Sequence, residues 1–284
     1  MKKIALLTTH IDLSVGDHDD HLLVQELKER GFEVSEISWH KECDWKQFDL
    51  VLTRTPWDYS AHEKKFKEVL KTIHQATTLL NPIDIMLWNM EKTYLKELQE
   101  KGIKTIPTLW LKNSESLDYE ALSQKLGTQK FIIKPSVGAG SEGLIKVEGP
   151  KDLENLPIAL TRSPLFMVQP FIEGVLKGEE SYFFFNGKYS HGIRKVPKEG
   201  DFRVQPVFGS KVTALDISPE KEAQCLQILS ALSAKPFYAR LDFLDNENDF
   251  YLIELEMIEP HLYLSWNQKA AKNLVDEIAK LLTA

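Results

Sequence analysis

The sequence predicts an α/β front followed by an α+β body. Three observations carry that expectation. Strand and helix signals alternate through residues 1–80, Asn186-Gly187 stands between two apolar runs, and two more apolar runs flank the polar turn DNEN. Alternation builds a small, mostly parallel sheet, whereas short turns between apolar runs build antiparallel hairpins.

The elements follow in order. IALLTT (4–9) is a short apolar run that reads as the first strand. DDHLLVQELKERG (19–31) places Leu22, Leu23 and Leu27 on one helical face and stops at Gly31. FEVSEISW (32–39) and FDLVLTR (48–54) read as strands, and a helix carrying Phe66, Val69, Leu70 and Ile73 comes next. Asn81-Pro82 marks a boundary. NMEKTYLKELQEKG (89–102) reads as one helix, with Met90, Tyr94, Leu95 and Leu98 on one side, Lys92 along it and Gly102 at its end. FIIKPSV (131–137) and LFMVQPF (165–171) read as strands, and SYFFFNGKYSHGI (181–193) as a hairpin. PEKEAQCLQILSAL (219–232) is an amphipathic helix. FYARLDFL (237–244) and FYLIELEMI (250–258) form a second hairpin, and a short helix from about Gln268 closes the chain.

Composition narrows the class. With 284 residues, 43% hydrophobic and 27% charged, the chain suits a soluble globular protein of two or three subdomains. A net charge of -7 gives no basic footprint for nucleic acid. Apolar runs such as Ile4–Leu7 are too short to span a bilayer. MKKIALLTTH superficially looks like a signal peptide, but its apolar run is short and no small-residue cleavage site follows. Cys43 and Cys225 are the only cysteines, so a disulfide framework is not expected and a cytoplasmic location is. No Cys/His spacing suits zinc.

Three constellations carry chemistry. In FIIKPSVGAGSEG (131–143) a strand delivers Lys134 to a loop containing Gly138, Gly140, Ser141 and Gly143. Glycines let backbone N–H groups approach phosphate oxygens, and a lysine adds a point charge beside them. Taken alone, the loop is equally a surface turn. Its Gly138-x-Gly140-x-x-Gly143 spacing mimics a dinucleotide fingerprint, but no clear helix follows it. In the last hairpin, Glu254 and Glu256 are two apart and share a sheet face, with Asp242 able to sit opposite them. Leu241, Phe243, Leu255 and Met257 interleave with these acids, so the other face is core. Three such carboxylates repel unless cations sit among them, and with phosphates nearby they suit Mg²⁺; an isolated hairpin would read as a solvated acidic face. In QPFIEGVLKGEES (169–181), Pro170 suits a connector between lobes, and Phe171 and Ile172 either wall an adenine pocket or pack as ordinary core. Lys92, Arg203 and Arg240 are ordinary surface or ion-pair residues when taken singly.

Their order changes that judgement. A helix lysine, a strand lysine, a Gly-rich loop, a hinge, an arginine and an acid triad follow one another as in the ATP-grasp superfamily, which the chain resembles over nearly its whole length. Within it the likeness is strongest to the group around the O-ureido-serine cyclo-ligase of cycloserine biosynthesis. Glutathione synthetases and ribosomal-protein glutamate ligases are more distant. RTPWDY (54–59), NPIDIMLWNMEKTYL (81–95), FIIKPSVGAGSEG, SHGIRKVPKEGDFRVQ (190–205), ARLDF (239–243) and ELEMIEP (254–260) carry the resemblance.

The resemblance implies an ATP-grasp fold: an N-terminal mostly parallel α/β subdomain (1–88), a small lobe with the Gly-rich loop (89–169) and a C-terminal lobe with the metal site (170–284), the last two clamping ATP. Lys92 and Lys134 would contact ATP phosphates, and the loop from Gly138 to Gly143 would close over them. The backbone around Gln169–Ile172 would hold adenine, with Glu179 on the ribose. Arg203 and Arg240 would neutralise the γ-phosphate and the tetrahedral intermediate. Asp242, Glu254 and Glu256 would hold Mg²⁺, as two ions, with Mn²⁺ an alternative. The last metal position is commonly asparagine in the superfamily, and here it is Glu256.

The expected activity is ATP-dependent ligation of a carboxylate to an amine or related nucleophile through an acyl phosphate, releasing ADP and phosphate. Rival readings are a ligase acting on a peptide or protein end, and a nucleotide-binding protein without turnover. A dinucleotide oxidoreductase would need glycines after the first strand, where only Gly16 stands. Arg54, Trp57 and Asp58 follow the strand FDLVLTR at its carboxyl end, where ligands of open α/β sheets bind. They are candidate substrate residues, with His191, Arg194 and Lys195 facing them; an Arg54–Asp58 salt bridge is the alternative. The expected partners are a small-molecule carboxylate and an amine, without nucleic acid or membrane, and with homodimerisation left open.

Overall fold

The computed structural model describes residues 1–9, 19–112, 117–138, 140–246 and 249–283. The turn that follows the first strand, with Gly16, and the tip of the DNEN turn at 247–248 lie outside them.

The front is a four-stranded parallel sheet in the order β2-β1-β3-β4, made of β1 (Lys3–Thr8), β2 (Glu33–Ser38), β3 (Leu50–Thr55) and β4 (Thr78–Leu80). Helix α1 (Asp20–Glu29) and helix α2 (Glu63–Ala76) cover its two faces. Ile4 and Leu6 pack with Leu23 and Leu27 of α1, and Ala5 and Leu7 pack with Phe66, Leu70 and Ile73 of α2. Burial on both faces explains why β1 reads as an unbroken apolar run rather than an alternating one. The short strand β4 gave no separate signal in the sequence.

At Asn81 the front is fastened to the rest. Its side chain donates to the carbonyls of Tyr238 and Met257, 2.8 Å each, and accepts from the N–H groups of Phe237 and Tyr238. A residue that reads as a boundary is thus a buried pin.

Of the helix expected over 89–102 only α4 (Tyr94–Glu100) forms, and a separate helix, α3 (Ile83–Asn89), precedes it. The break has a cause. The Asn89 side chain donates to Leu255 O at 2.7 Å and accepts from Met257 N at 2.9 Å, and the Tyr94 hydroxyl accepts from Leu255 N at 2.9 Å. Met90, Tyr94, Leu95 and Leu98 are all buried, as their spacing indicated. Lys92 lies in the turn between the helices rather than on one.

A small antiparallel sheet follows in the order β5-β8-β6-β7: β5 (Leu109–Lys112), β6 (Phe131–Pro135), β7 (Ile145–Val147) and β8 (Leu165–Pro170). Helices α5 (Tyr119–Leu126) and α6 (Ile158–Arg162) back it. Phe131 and Ile133 enter its core, so the alternate residues Ile132 and Lys134 face the other way.

The body is a five-stranded antiparallel sheet, β11-β10-β9-β12-β13, made of β9 (Glu179–Phe185), β10 (Lys188–Val196), β11 (Lys211–Leu215), β12 (Tyr238–Asn246) and β13 (Asp249–Glu256). Asn186 and Gly187, at φ 47 and 75, form the turn between β9 and β10. Both central positions there require positive φ, which is why Asn-Gly stands there. On one face, Phe184, Leu241, Phe243 and Leu255 pack against Cys225, Ile228 and Leu229 of α7 (Pro219–Ser230) and against α4. On the other, Phe183, Phe185 and Tyr238 pack under α8 (Ala270–Thr283) and the front sheet. Further along, that second face turns charged. β13 is an edge strand, and Lys104 O, Asn89 and Tyr94 take up its backbone groups at Leu252, Leu255 and Met257. None of the described helices is long and apolar enough to cross a membrane.

Candidate active site

A cavity of about 530 Å³ lies between the small sheet and the charged part of the large one, with Trp57, Tyr59 and Ser60 of the front closing one end. That size is ordinary for a ligand pocket.

The charged face builds its floor. Asp242 stands directly opposite Glu254, and Arg240 opposite Glu256. A register shift after Asp242 pairs Phe243 with Leu252, leaving Ile253 as an extra residue that also lines the cavity. One carboxylate oxygen from each of Asp242, Glu254 and Glu256 lies within 4.8 Å of the other two. Cations lie among them. The Arg240 guanidinium donates to Asp242 at 2.8 Å and to Glu256. Lys92 Nζ is 3.0 Å from Glu254. Lys195 Nζ is 2.5 Å from Glu179 and 3.7 Å from Asp242.

These neighbours set the charge states. Burial would raise Asp242, but Arg240 and then Lys195 hold it below the usual carboxylate range. For Glu254, burial is outweighed by Lys92 and Lys134. Glu256 is pushed up to about 8 by enclosure, against Arg240, with Glu254 and Asp242 adding to the rise. Burial lowers the Lys134 ammonium, which Glu254 partly offsets.

The roof is the loop after β6. Gly138, Gly140, Ser141 and Gly143 all have positive φ, at 157, 62, 64 and 75. Lys92 secures its base, with its N–H on Ser136 O at 2.8 Å and its Nζ on Gly138 O at 2.7 Å. Gly138, Gly140 and Ser141 line the cavity. Gly143 does not: a Cβ there would lie 3.1 Å from Leu160 N and 3.3 Å from Pro135 Cδ, so it lets the loop pack onto α6. At the far end, Phe171, Ile172 and Phe202 join Ile106, Val175, Val204 and Leu244 in an apolar cluster. The Gln169 side chain donates to Thr108 Oγ1 at 2.8 Å. Arg203 lines the cavity, pairs with Asp201 at 2.8 Å and stacks on Phe208.

The substrate candidates divide. Trp57 and Lys195 line the cavity, whereas Arg54, Asp58, His191 and Arg194 do not. Arg54 is buried on Asp20 at 2.8 Å and not on Asp58, because α1 brings Asp20 beside the end of β3. Asp58 accepts from Trp39 Nε1 at 2.7 Å and pairs with His40 at 2.6 Å. Arg194 points to the opposite face of β10 from Lys195 and pairs with Glu180 at 2.5 Å. His191 stacks on Phe183 at 4.2 Å, and burial pushes it down to about 4.

The sequence reading gave no role to Glu259, His261 and Tyr263, in the segment after β13. Glu259, His261 and Tyr263 line the cavity, and five successive carbonyls there accept from side chains. Tyr238 Oη donates to Ile258 O at 2.9 Å, Trp57 Nε1 to Glu259 O at 3.1 Å, and Arg54 Nη1 to Pro260 O at 3.2 Å. Arg240 Nη1 donates to His261 O at 3.3 Å, and His191 Nε2 to Leu262 O at 2.8 Å. The His261 ring stacks on Tyr263, centroids 4.0 Å apart, with Trp57 at 6.3 Å. Irregular backbone carries no periodicity, so only the cluster of Glu, His and Tyr in IEPHLY could have flagged it.

A glycine loop on an antiparallel lobe, facing a carboxylate-bearing sheet across a cavity, is the architecture of the ATP-grasp class. Comparison with known proteins agrees. Residues 4–81 match the N-terminal domain of D-cycloserine synthetase DcsG, and residues 91–263, well over half of the chain, match the ATP-grasp domain of prokaryotic glutathione synthetase. The chain belongs to the ATP-grasp family of ATP-dependent ligases. It is 24% identical to the cycloserine biosynthesis protein DcsG of Streptomyces lavendulae, over 98% of each chain. It is also 24% identical to the glutathione synthetase of Rhodopseudomonas palustris, over 87% of this chain and 78% of that one. The crystal structure of D-cycloserine synthetase DcsG shares the fold with a TM-score of 0.84, at 24% identity and 99% coverage of each chain. The D-alanine–D-alanine ligase of Bacillus anthracis complexed with ATP shares it at 0.73, with 18% identity, over 100% of this chain and 98% of that one.

Proposed function

We propose that the chain couples a small-molecule carboxylate to an amine, or a related nitrogen nucleophile, through an acyl phosphate, with release of ADP and phosphate. The observation that carries this reading is the floor of the cavity: three carboxylates within 4.8 Å of one another, interleaved with Arg240, Lys92 and Lys195, beneath a glycine loop.

In this reading the apolar end formed by Phe171, Ile172, Ile106, Val204 and Leu244 takes adenine, beside the backbone of Gln169–Ile172. Glu179 takes the ribose. Lys92 and Lys134 sit against the phosphates, and the loop with Gly138, Gly140 and Ser141 covers them, while Gly143 anchors that loop to α6. The three carboxylates are hard oxygen donors of the kind Mg²⁺ accepts together with phosphates, so Asp242, Glu254 and Glu256 would hold it, with Glu254 between its two neighbours. There Mg²⁺ would offset charge on the transferring phosphoryl group. Arg203 and Arg240 stabilise the γ-phosphate oxygens and then the oxyanion formed when nitrogen attacks the acyl carbon. Trp57 and Lys195 meet the substrate. The partition into 1–88, 89–169 and 170–284 describes the lobes that perform these parts.

The test is a nucleotide assay. The protein is incubated with ATP, Mg²⁺ and a panel of L- and D-amino acids together with O-ureidoserine. ADP and phosphate released with one member of the panel support the reading. AMP and pyrophosphate would show adenylate chemistry and sink it.

A further inference from the structure

We propose that Glu259 determines the specificity of the acyl site: its carboxylate takes an ammonium group that the activated acid carries next to its reacting carboxyl. The proposal rests on the acyl-phosphate ligation above. Glu259 lies in the irregular segment after β13, which is fixed through its backbone. Tyr238, Trp57 and Arg54 donate to the carbonyls of Ile258, Glu259 and Pro260 at 2.9, 3.1 and 3.2 Å. The carboxyl group is located by what acts on it. The Tyr59 hydroxyl stands beside it, and Lys92, Glu254 and Arg240 bear on its charge. Tyr59 is buried, its ring stacked on Phe66 at 4.9 Å, and it closes the same end of the cavity as Trp57 and Ser60. The Glu259 carboxyl therefore lies between the front subdomain and the acid floor.

Its neighbours leave it without a counter-charge. Of the acids that line the cavity, Glu179 pairs with Lys195, Asp242 and Glu256 pair with Arg240, and Glu254 pairs with Lys92. Glu142 is exposed on the loop. Glu259 is the enclosed acid that remains, and among the described residues no lysine or arginine comes within 4 Å of it. Burying a charge is costly unless it is paired. Enclosure accordingly pushes Glu259 up to about 7, with Lys92 and the Tyr59 hydroxyl only partly offsetting it.

The missing cation is not a further metal ion. Among the described residues, the one group of three or more side chains placed to hold a metal is Asp242, Glu254 and Glu256. An ammonium group suits the place. It carries three N–H donors, and the Glu259 carboxylate and the Tyr59 hydroxyl are acceptors beside each other. An α-amino acid bears its ammonium on the carbon next to its carboxyl. Seated with that carboxyl over the floor, it brings the ammonium to the side of the floor where Glu259 stands. An acid without the ammonium leaves Glu259 enclosed and unpaired, and a site rejects an analogue on that ground.

Hydroxylamine tests this as a common nucleophile, so that each acid is tried alone with ATP and Mg²⁺ and scored as its hydroxamate. The acids are the amino acids and O-ureidoserine of the panel. Each stands beside the analogue with hydrogen in place of the α-amino group, such as propionate for alanine and 3-hydroxypropionate for serine. The wild type should prefer the most active amino acid over its analogue. In Glu259→Gln that ratio of kcat/KM should shrink by about 10–100-fold, the worth of a hydrogen bond to a charged group, with the half-saturating Mg²⁺ concentration unchanged. A wild type that uses the analogue as well as the amino acid overturns the proposal, whatever the variant does. So does an equal loss with both acids in Glu259→Gln, which marks a structural or metal-holding role. Absence of hydroxamate with every acid, amino or not, overturns the acyl-phosphate reading instead.

Discussion

Arg54 and Asp20 form a buried ion pair, with Arg54 Nη2 2.8 Å from Asp20 Oδ1, although 34 residues separate them. Nε also donates to Asp20 Oδ1 at 2.9 Å, and the third guanidinium nitrogen, Nη1, reaches Pro260 O at 3.2 Å. The pair joins α1, β3 and the segment that carries His261.

Arg54→Ala is therefore expected to act on stability first. It leaves Asp20 charged and buried, which costs roughly 3–5 kcal/mol. Chemical denaturation of Arg54→Ala measures this, and Arg54→Met with Asp20→Leu should recover much of the loss. A wild-type midpoint for Arg54→Ala would refute the assignment.

For the acid floor, Glu254→Gln is expected to abolish turnover with the fold intact, because Glu254 stands between Asp242 and Glu256 and also meets Lys92. Glu256→Asn should be milder, since it keeps one oxygen. Metal alone should bind weakly, because each acid already has a cation within 4 Å, and ATP supplies further oxygens. Steady-state rates across a Mg²⁺ titration check this. Full activity of Glu254→Gln at every concentration would reduce the hairpin to a solvated face.

Lys134 faces the cavity from β6. Lys134→Ala should weaken ATP binding while the secondary structure stays unchanged. Calorimetric titration with ATP and Mg²⁺ reads the affinity, and an unchanged value removes Lys134 from the phosphate site.

His191 should govern a pH dependence of stability rather than of substrate binding. Its folded value, about 4, lies below the ordinary imidazole value of about 6.5. Between the two, the unfolded chain binds a proton that the folded chain does not, so stability falls as pH drops through that window and is level above it. The loss amounts to about 3 kcal/mol in all. Denaturation midpoints at pH 7 and pH 5 should differ less in His191→Gln than in the wild type. Equal differences would count against the assignment.

What was legible in the sequence had short range. Asn186-Gly187 fixed a turn because two adjacent residues supply both positive φ values. Glu254 and Glu256 declared a shared face by their spacing alone, and one register pairing then supplied Asp242. What was hidden depended on distant partners. Nothing near Lys92 shows that Asn89 and Tyr94 will bind the β13 segment and that the helix will start only at Tyr94. Arg54 looked available because Asp20, its partner, comes from the preceding helix. His191 shares a face of β10 with Lys195 and Arg194 takes the other, yet only contact with Leu262 O and Glu180 decides where each is used.

The two walls of the cavity differ in what must break to move them. Asp242 lies between Leu241 and Phe243 on β12, which is paired on one side with β9 and on the other with β13. Amide exchange there requires opening of the interior itself, so these N–H groups belong to the slowest-exchanging class of the molecule. The glycine-loop wall is tied to the turn at Lys92 through Ser136 and Gly138 and shares no ladder with the large sheet. Asp242 is thus held as long as the interior of the large sheet is, whereas the glycine-loop wall can open without breaking any ladder of that sheet.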